Sequence, residues 1–287
     1  MDNDLKLGLA LGGGSARAAA HVGAIKVLES YGAKPVILSG TSSGAFVAAL
    51  YAMGLSAAEL EKEICSLKAK EFWLSSMDFA PDQLSFSRGK KLKKYLDKKF
   101  FKGAKFKDLQ IPLLIASTDL QTGNLFLINK GSLAKAVIAS GSLPGIFAAS
   151  EWRGRWLIDG GFVEPVPFGA LADMALDKIY GVHTGVNVNE NLFLQFFKNN
   201  SHRGSHYFNT IAKMSLPKPL SRLNRAYEIV FASYNNEMKI PKNGVLISCD
   251  PKINWWDFHK LPSAVRAGEQ AMLEHLRANP INGFGEV

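Results

Sequence analysis

Short, uniformly apolar runs alternate along this chain with longer stretches whose apolar positions recur at helical spacing. The first run, residues 5–11, breaks at Gly12-Gly13-Gly14 and reads as a strand buried on both faces. Residues 16–31 then place Ala20, Val22, Ile25, Val27 and Leu28 at helical spacing, with Gly32 as a stop. A second apolar run at 35–39 predicts a strand, followed by a helix to about Met53 and another over 56–68. Further strands are predicted at 112–116, 125–128, 178–183 and 244–248, and further helices over 89–100, 132–140 and 261–276. The last of these is plainly amphipathic. Residues 120–124 read as a turn, and 141–159 as irregular. Strands separated by helices imply an α/β fold with a mostly parallel central sheet and helices on both of its faces.

No internal repeat or low-complexity tract divides the chain, so residues 1–287 read as one domain. Residues 191–242 are its least regular part. They mix Phe193, Phe196, Phe197, Tyr207 and Phe208 with Lys198, His202 and Arg203, and contain Pro217 and Pro219. This composition marks a candidate lid or cap.

Apolar residues make up 47% of the chain and charged residues 21%, which suits a globular protein with a sizeable core. No run approaches the roughly 18 apolar residues of a membrane span. The acidic start, Met1-Asp2-Asn3-Asp4, lacks the basic and apolar regions of a secretory signal. Cys65 and Cys249 have no Cys or His at metal spacing and read as reduced core thiols. Together these features predict a cytoplasmic protein. The net charge of +9 is concentrated: from Arg88 to Lys107 there are ten Lys or Arg residues and one acid, Asp97. Tyr95, Phe100, Phe101 and Phe106 lie among them. A solvated helix with an apolar underside accounts for this pattern. So does peripheral contact with an anionic membrane, which is favoured over nucleic acid because no nucleic-acid motif accompanies the charge.

The candidate chemistry centres on Gly40-Thr41-Ser42-Ser43-Gly44, between a predicted strand and a predicted helix. A strand–turn–helix of this kind exposes the middle serine on a strained turn, and makes Ser42 a candidate nucleophile. Gly40 and Gly44 flank it where strand and helix pack too closely for a Cβ. The amides of Gly12, Gly13 and Gly14, at a helix start, are a suitable donor set for an oxyanion. A dinucleotide-binding loop uses similar physics, but here Arg17 stands at the third glycine of that fingerprint. A serine needs a base. His183, His202, His206, His259 and His275 follow Ser42 in the chain, as an α/β-hydrolase triad would require. The other candidate is Asp159, which closes the apolar run before Gly160 and Gly161. A buried carboxylate with a raised pKa could accept the serine proton directly, although a turn-forming Asp before Gly explains the residue alone.

Four blocks occur in order: Gly12-Gly13-Gly14-x-x-Arg17, Gly40-Thr41-Ser42-Ser43-Gly44, Ala139-Ser140-x-x-x-Pro144-x-x-Phe147, and Asp159-Gly160-Gly161. This arrangement resembles the patatin-like phospholipase family, in its bacterial branch. Asp257-Phe258-His259 before the closing helix extends the likeness over nearly the whole chain. The resemblance implies a three-layer α/β/α sandwich, no metal or organic cofactor, and hydrolysis of acyl esters in lipids. It implies a dyad of Ser42 and Asp159, an oxyanion hole at Gly12, Gly13 and Gly14, and a supporting role for Arg17. Many relatives carry glycine where this chain has Ser15 and Ala18, which leaves a stiffer and bulkier loop. His21, one turn past Arg17, reads as structural. The expected activity is that of a lipid acyl hydrolase of the phospholipase A or lysophospholipase type. A soluble carboxylesterase or thioesterase would use the same chemistry, and a non-catalytic lipid-binding regulator could share the fold.

Overall fold

A computed structural model describes residues 5–78, 85, 87–185 and 238–280. Nearly all of the candidate lid at 191–242 therefore lies outside the described residues. The described residues belong to one compact unit, formed by Met1–Gly185 and Met238–Val287.

Eight strands form one sheet: β1 (Leu7–Leu11), β2 (Pro35–Thr41), β3 (Leu113–Asp119), β4 (Leu125–Ile128), β5 (Ser150–Trp152), β6 (Arg155–Asp159), β7 (Lys178–His183) and β8 (Gly244–Ser248). The order is β5-β6-β3-β2-β1-β7-β8, with β4 also pairing β3. From β3 through β2, β1 and β7 to β8 every pairing is parallel; β4, β5 and β6 add an antiparallel end. β1 is buried along its whole length, as a strand covered on both faces must be. The strand period separates two apolar clusters. Leu9, Leu11, Leu38 and Ile115 belong to the larger one, with residues of the helices, and Ala10 and Ile179 to a smaller one with Val166, Phe168 and Leu171. The α/β class and largely parallel sheet agree with the sequence expectation.

The helices are α1 (Ala20–Ser30), α2 (Ser43–Ala52), α3 (Ala57–Cys65), α4 (Ala69–Ser76), α5 (Lys90–Leu96), α6 (Leu133–Ser140) and α7 (Leu261–Ala278). α1 and α7 cross at two glycines. A Cβ on Gly23 would lie 2.0 Å from the Val265 carbonyl oxygen, and one on Gly268 1.8 Å from that of Ala20. Lys26 ties this pair to α3 by ion pairs to Glu61 and Glu269.

The structure differs from expectation in four places. The helix expected from residue 16 starts with a 3-10 turn, Ser15–Ala19, because Ser15 has a left-handed backbone (φ 53°). The helix expected over 89–100 is α-helical only to Leu96; Asp97–Phe101 is a wider π turn ended by Lys102 and Gly103, both at positive φ. The stretch expected to be irregular before Asp159 contains the hairpin β5–β6. Arg153 (φ 52°) and Gly154 (φ 80°) form its tight turn, the backbone a two-residue hairpin of matching twist requires. α4 was not anticipated.

Candidate active site

The carboxyl ends of β1 and β2 meet α2 and the Gly12–Gly14 loop, the position in an open α/β sheet where ligands bind. Ser42 sits between β2 and α2 with φ 54° and ψ −125°, a strained backbone for a residue with a side chain. The close packing that requires this turn is explicit. A Cβ on Gly44 would lie 2.3 Å from the carbonyl oxygens of Leu11 and Gly12, and one on Gly40 2.6 Å from the Ala45 Cα. The Ser42 amide donates to Ser140 Oγ at 2.7 Å, and Ser140 Oγ donates to the Ala116 carbonyl at 2.6 Å. Ser140, fully buried at the end of α6, thus holds the turn against β3. It stood in one of the ordered sequence blocks, but nothing in the sequence indicated that its hydroxyl supports the nucleophile's own amide.

Asp159 ends β6 and is 4% exposed. Its Oδ1 accepts the Gly161 amide at 2.8 Å, which gives the following glycines their role. The Ser42 side chain lies close enough to this carboxylate to favour its ionised form, and both residues line one cavity. Burial raises its pKa to about 6, against the opposing influence of the Gly161 amide and the Ser42 side chain. The structure therefore brings Ser42 and Asp159 together. Among the described residues no histidine hydrogen-bonds Ser42. His183 is buried, and burial with the nearby Arg17 charge lowers its pKa to about 4. His202 and His206 lie outside the described residues.

The glycine loop is more committed than its sequence suggests. A Cβ on Gly13 would lie 3.3 Å from Ser42 Cβ, so the loop runs directly beside the serine. Yet the Gly12 amide donates to the Val182 carbonyl at 3.0 Å and that of Gly13 to the Pro165 carbonyl at 3.1 Å. The amides of Gly14 and Ser15 both donate to Ser43 Oγ, at 3.0 and 2.7 Å. His21 Nε2 donates to the Gly12 carbonyl at 2.7 Å; buried and uncharged, with a pKa lowered to about 4 chiefly by burial, it pins the loop as a structural residue. Arg17 lies near His183 and Asp250, linking the 3-10 turn to the β7 and β8 side of the sheet. A second carboxylate is close by. Glu164 accepts the Gly169 amide at 3.1 Å, and burial raises its pKa to about 7.

Ser42, Ser43 and Asp159 open into a cavity of about 180 Å³ whose remaining walls are almost wholly apolar, among them Phe46, Phe72, Leu92, Leu96, Phe147 and Phe258. Leu92 and Leu96 come from the inner face of α5; the outer face carries exposed Lys90, Lys91, Lys93 and Lys94. Leu74 and Met77, at and just beyond the end of α4, are 56% and 50% exposed. Among the described residues no three His, Cys, Asp or Glu side chains gather as a metal site, and no helix is long and apolar enough to cross a membrane.

Residues 9–172 match the family model described as patatin-like phospholipase. Lysophospholipase NTE1 of Coccidioides immitis is 29% identical over 181 residues, 62% of this chain and 11% of that protein. An uncharacterized NTE family protein of Mycobacterium bovis is 32% identical over 179 residues, 62% of this chain and 48% of that one. The chain thus spans about a tenth of the fungal relative and about half of the mycobacterial one, and fungal and bacterial sequences match alike. The crystal structure of VipD from Legionella pneumophila shares the fold, with a TM-score of 0.51 at 14% identity over 96% of this chain and 67% of that one.

Proposed function

The chain belongs to the patatin-like phospholipase family, and on that premise we propose that it is a serine acyl hydrolase cleaving lipid esters. The reading is of the phospholipase A or lysophospholipase type, with Ser42 as nucleophile and Asp159 as base. The observation that carries it is the meeting of Ser42, on its strained turn, with a buried carboxylate in the wall of one apolar cavity. A lipid acyl chain would fill the cavity and bring its ester carbonyl to Ser42. The name lysophospholipase borne by fungal relatives supports a lipid substrate.

In the proposed reaction Asp159 takes the hydroxyl proton as Ser42 Oγ bonds to the carbonyl carbon. The negative charge moves to the carbonyl oxygen, on the side of the glycine loop. That charge then returns, the bond to the alcohol breaks, and Asp159 passes the proton to the departing oxygen. Water attacks the acyl-serine with Asp159 again as base. Ser42 leaves with the proton and the free acid is released. Every step uses groups of this chain and water, so the reading calls for no cofactor.

The exposed lysines of α5 stand on the outside of a cavity wall. The reading therefore includes peripheral contact with an anionic lipid surface through the stretch from Arg88 to Lys107.

The test is a panel of phospholipid, lysophospholipid and soluble esters, with fluorophosphonate labelling, on wild type and Ser42→Ala. Wild type is expected to hydrolyse lipid esters and to take the label, and Ser42→Ala to do neither. Near-wild-type turnover by a folded Ser42→Ala protein would overturn the reading. Hydrolysis confined to soluble esters would shift it to a carboxylesterase or thioesterase. An unlabelled, inactive wild type would leave a lipid-binding protein.

A further inference from the structure

The geometry points to Ser43 as a catalytic residue in its own right: its hydroxyl donates a hydrogen bond to the oxyanion that forms when Ser42 attacks. This rests on the acyl-hydrolase reading above and adds a side-chain donor to it. A serine hydroxyl has one proton and two lone pairs. The amides of Gly14 and Ser15 donate to Ser43 Oγ at 3.0 and 2.7 Å, which occupies both lone pairs. The proton is then the only hydrogen-bonding capacity left, and among the described residues no acceptor receives it. Ser43 lines the same cavity as Ser42 and Asp159, so the missing acceptor is one that a bound substrate supplies.

The neighbouring donors strengthen the argument by elimination. The Gly12 and Gly13 amides are held by the carbonyls of Val182 and Pro165, and the Ser42 amide by Ser140 Oγ. None of the three is available without breaking a bond of the fold. The Ser43 amide stands in the first turn of α2, where no intrahelical acceptor exists, so the residue after the nucleophile presents both an N–H and an O–H. The two amides that hold Ser43 Oγ also polarise it, since donors feeding a hydroxyl make its own proton a better donor. The hydroxyl is fixed before substrate arrives, so no reorganisation opposes it when charge develops. The glycine loop then acts largely through Ser43 and not by direct contact.

The experiment measures kcat and KM for a p-nitrophenyl acyl ester with wild type, Ser43→Ala, Ser43→Cys and Ser43→Thr, each followed by thermal unfolding. Loss of one oxyanion donor lowers kcat by about 10²–10³-fold, and that loss is expected for Ser43→Ala with KM little changed. Ser43→Cys, similar in shape but a weak donor, should fall with it. Ser43→Thr, which restores a hydroxyl, should recover most of kcat. A folded Ser43→Ala protein with kcat equal to or above wild type would overturn the inference and make the hydroxyl a plug over two amides. Equal losses in folded Thr and Cys variants would overturn it as well, and that comparison decides the matter if the Ala variant does not fold. A wild type that neither hydrolyses esters nor takes a fluorophosphonate removes the acyl-hydrolase reading itself; an active wild type matched by Ser43→Ala removes only the role of Ser43.

Discussion

Ser42 and Asp159 carry opposite kinds of cost. Ser42 sits at φ 54°, where a residue with a side chain is strained by about 1–3 kcal/mol. Glycine relieves that strain, while its extra unfolded freedom costs about 0.5–1 kcal/mol. Ser42→Gly is therefore expected to be inactive and at least as stable as wild type in thermal unfolding. A clear loss of stability would show that the turn is not strained. Asp159 is costly through its charge. Its folded pKa of about 6 lies above the ordinary value of 3.8, so the folded state binds the proton more tightly. Between those values the folded protein is protonated and the unfolded chain ionised; stability falls as pH rises through this window and levels off above it. Asp159→Asn keeps the acceptor for the Gly161 amide and removes the buried charge. It should abolish hydrolysis yet raise stability at pH 7, by up to about 3 kcal/mol. Hydrolysis by wild type should show an acid limb near pH 6, since only the carboxylate serves as base. Glu164, the other carboxylate raised by burial, should leave that limb in place when changed to Gln; loss of the limb in Glu164→Gln would transfer the titration to Glu164. The two residues that meet here were legible because each ends an apolar run beside glycines. Ser43 and Ser140 were not, because a hydroxyl's partners come from elements distant in the chain, and sequence spacing carries no trace of them.

The predicted elements with a strong period or a uniform apolar run match the structure closely: β1, β2, β7, β8 and α7 lie where the pattern put them. The misses fall where the sequence carries no local signal. β5 is three residues long and turns through Arg153-Gly154, and a non-glycine residue at positive φ leaves no compositional mark. α4 is as long as the predicted α6 but has no side-chain cap at its start, where α6 has Ser132. The α1–α7 crossing is legible only afterwards. Gly23 and Gly268 look like helix-weakening residues in the sequence, but each leaves room for the other helix's backbone. Gly268→Ala should push the helices apart and lower stability by about 1–3 kcal/mol in urea unfolding, the usual range for overpacking. On an exposed helix face the same change would stabilise, because alanine is the better helix former by about 1 kcal/mol. The sign alone therefore tests the crossing. Ser140→Ala belongs to the same scale, since it unties α6 and β3 from the Ser42 turn. It leaves a buried carbonyl and a partly buried amide without their partner, at about 1–3 kcal/mol, and should slow hydrolysis through a displaced nucleophile.

For the molecule as a whole, the charge pattern and the cavity describe one surface. α5 turns Leu92 and Leu96 inward to the cavity and Lys90, Lys91, Lys93 and Lys94 outward, while Leu74 and Met77 stand exposed near its N-terminal end. Lys91 Nζ donates to the Met77 carbonyl at 2.9 Å, which places the apolar and basic parts side by side. An isolated basic helix would need no apolar neighbours in water, whereas a surface that settles on anionic lipid uses both: charge for attraction, apolar side chains for burial below the headgroups. The two contributions separate by their response to salt. Replacing Lys90, Lys91, Lys93 and Lys94 with Gln should weaken binding to vesicles of anionic phospholipid by roughly 1 kcal/mol per well-placed charge. It should also flatten the salt dependence, because screening acts on what has been removed. Leu74→Ser with Met77→Ser should weaken binding at every salt concentration and leave its salt dependence unchanged. Hydrolysis of a small soluble ester should be unaffected by either set, since none of these side chains reaches Ser42. Vesicle binding that survives both sets would show that the face of α5 is merely solvated, and that lipid reaches the cavity from another side.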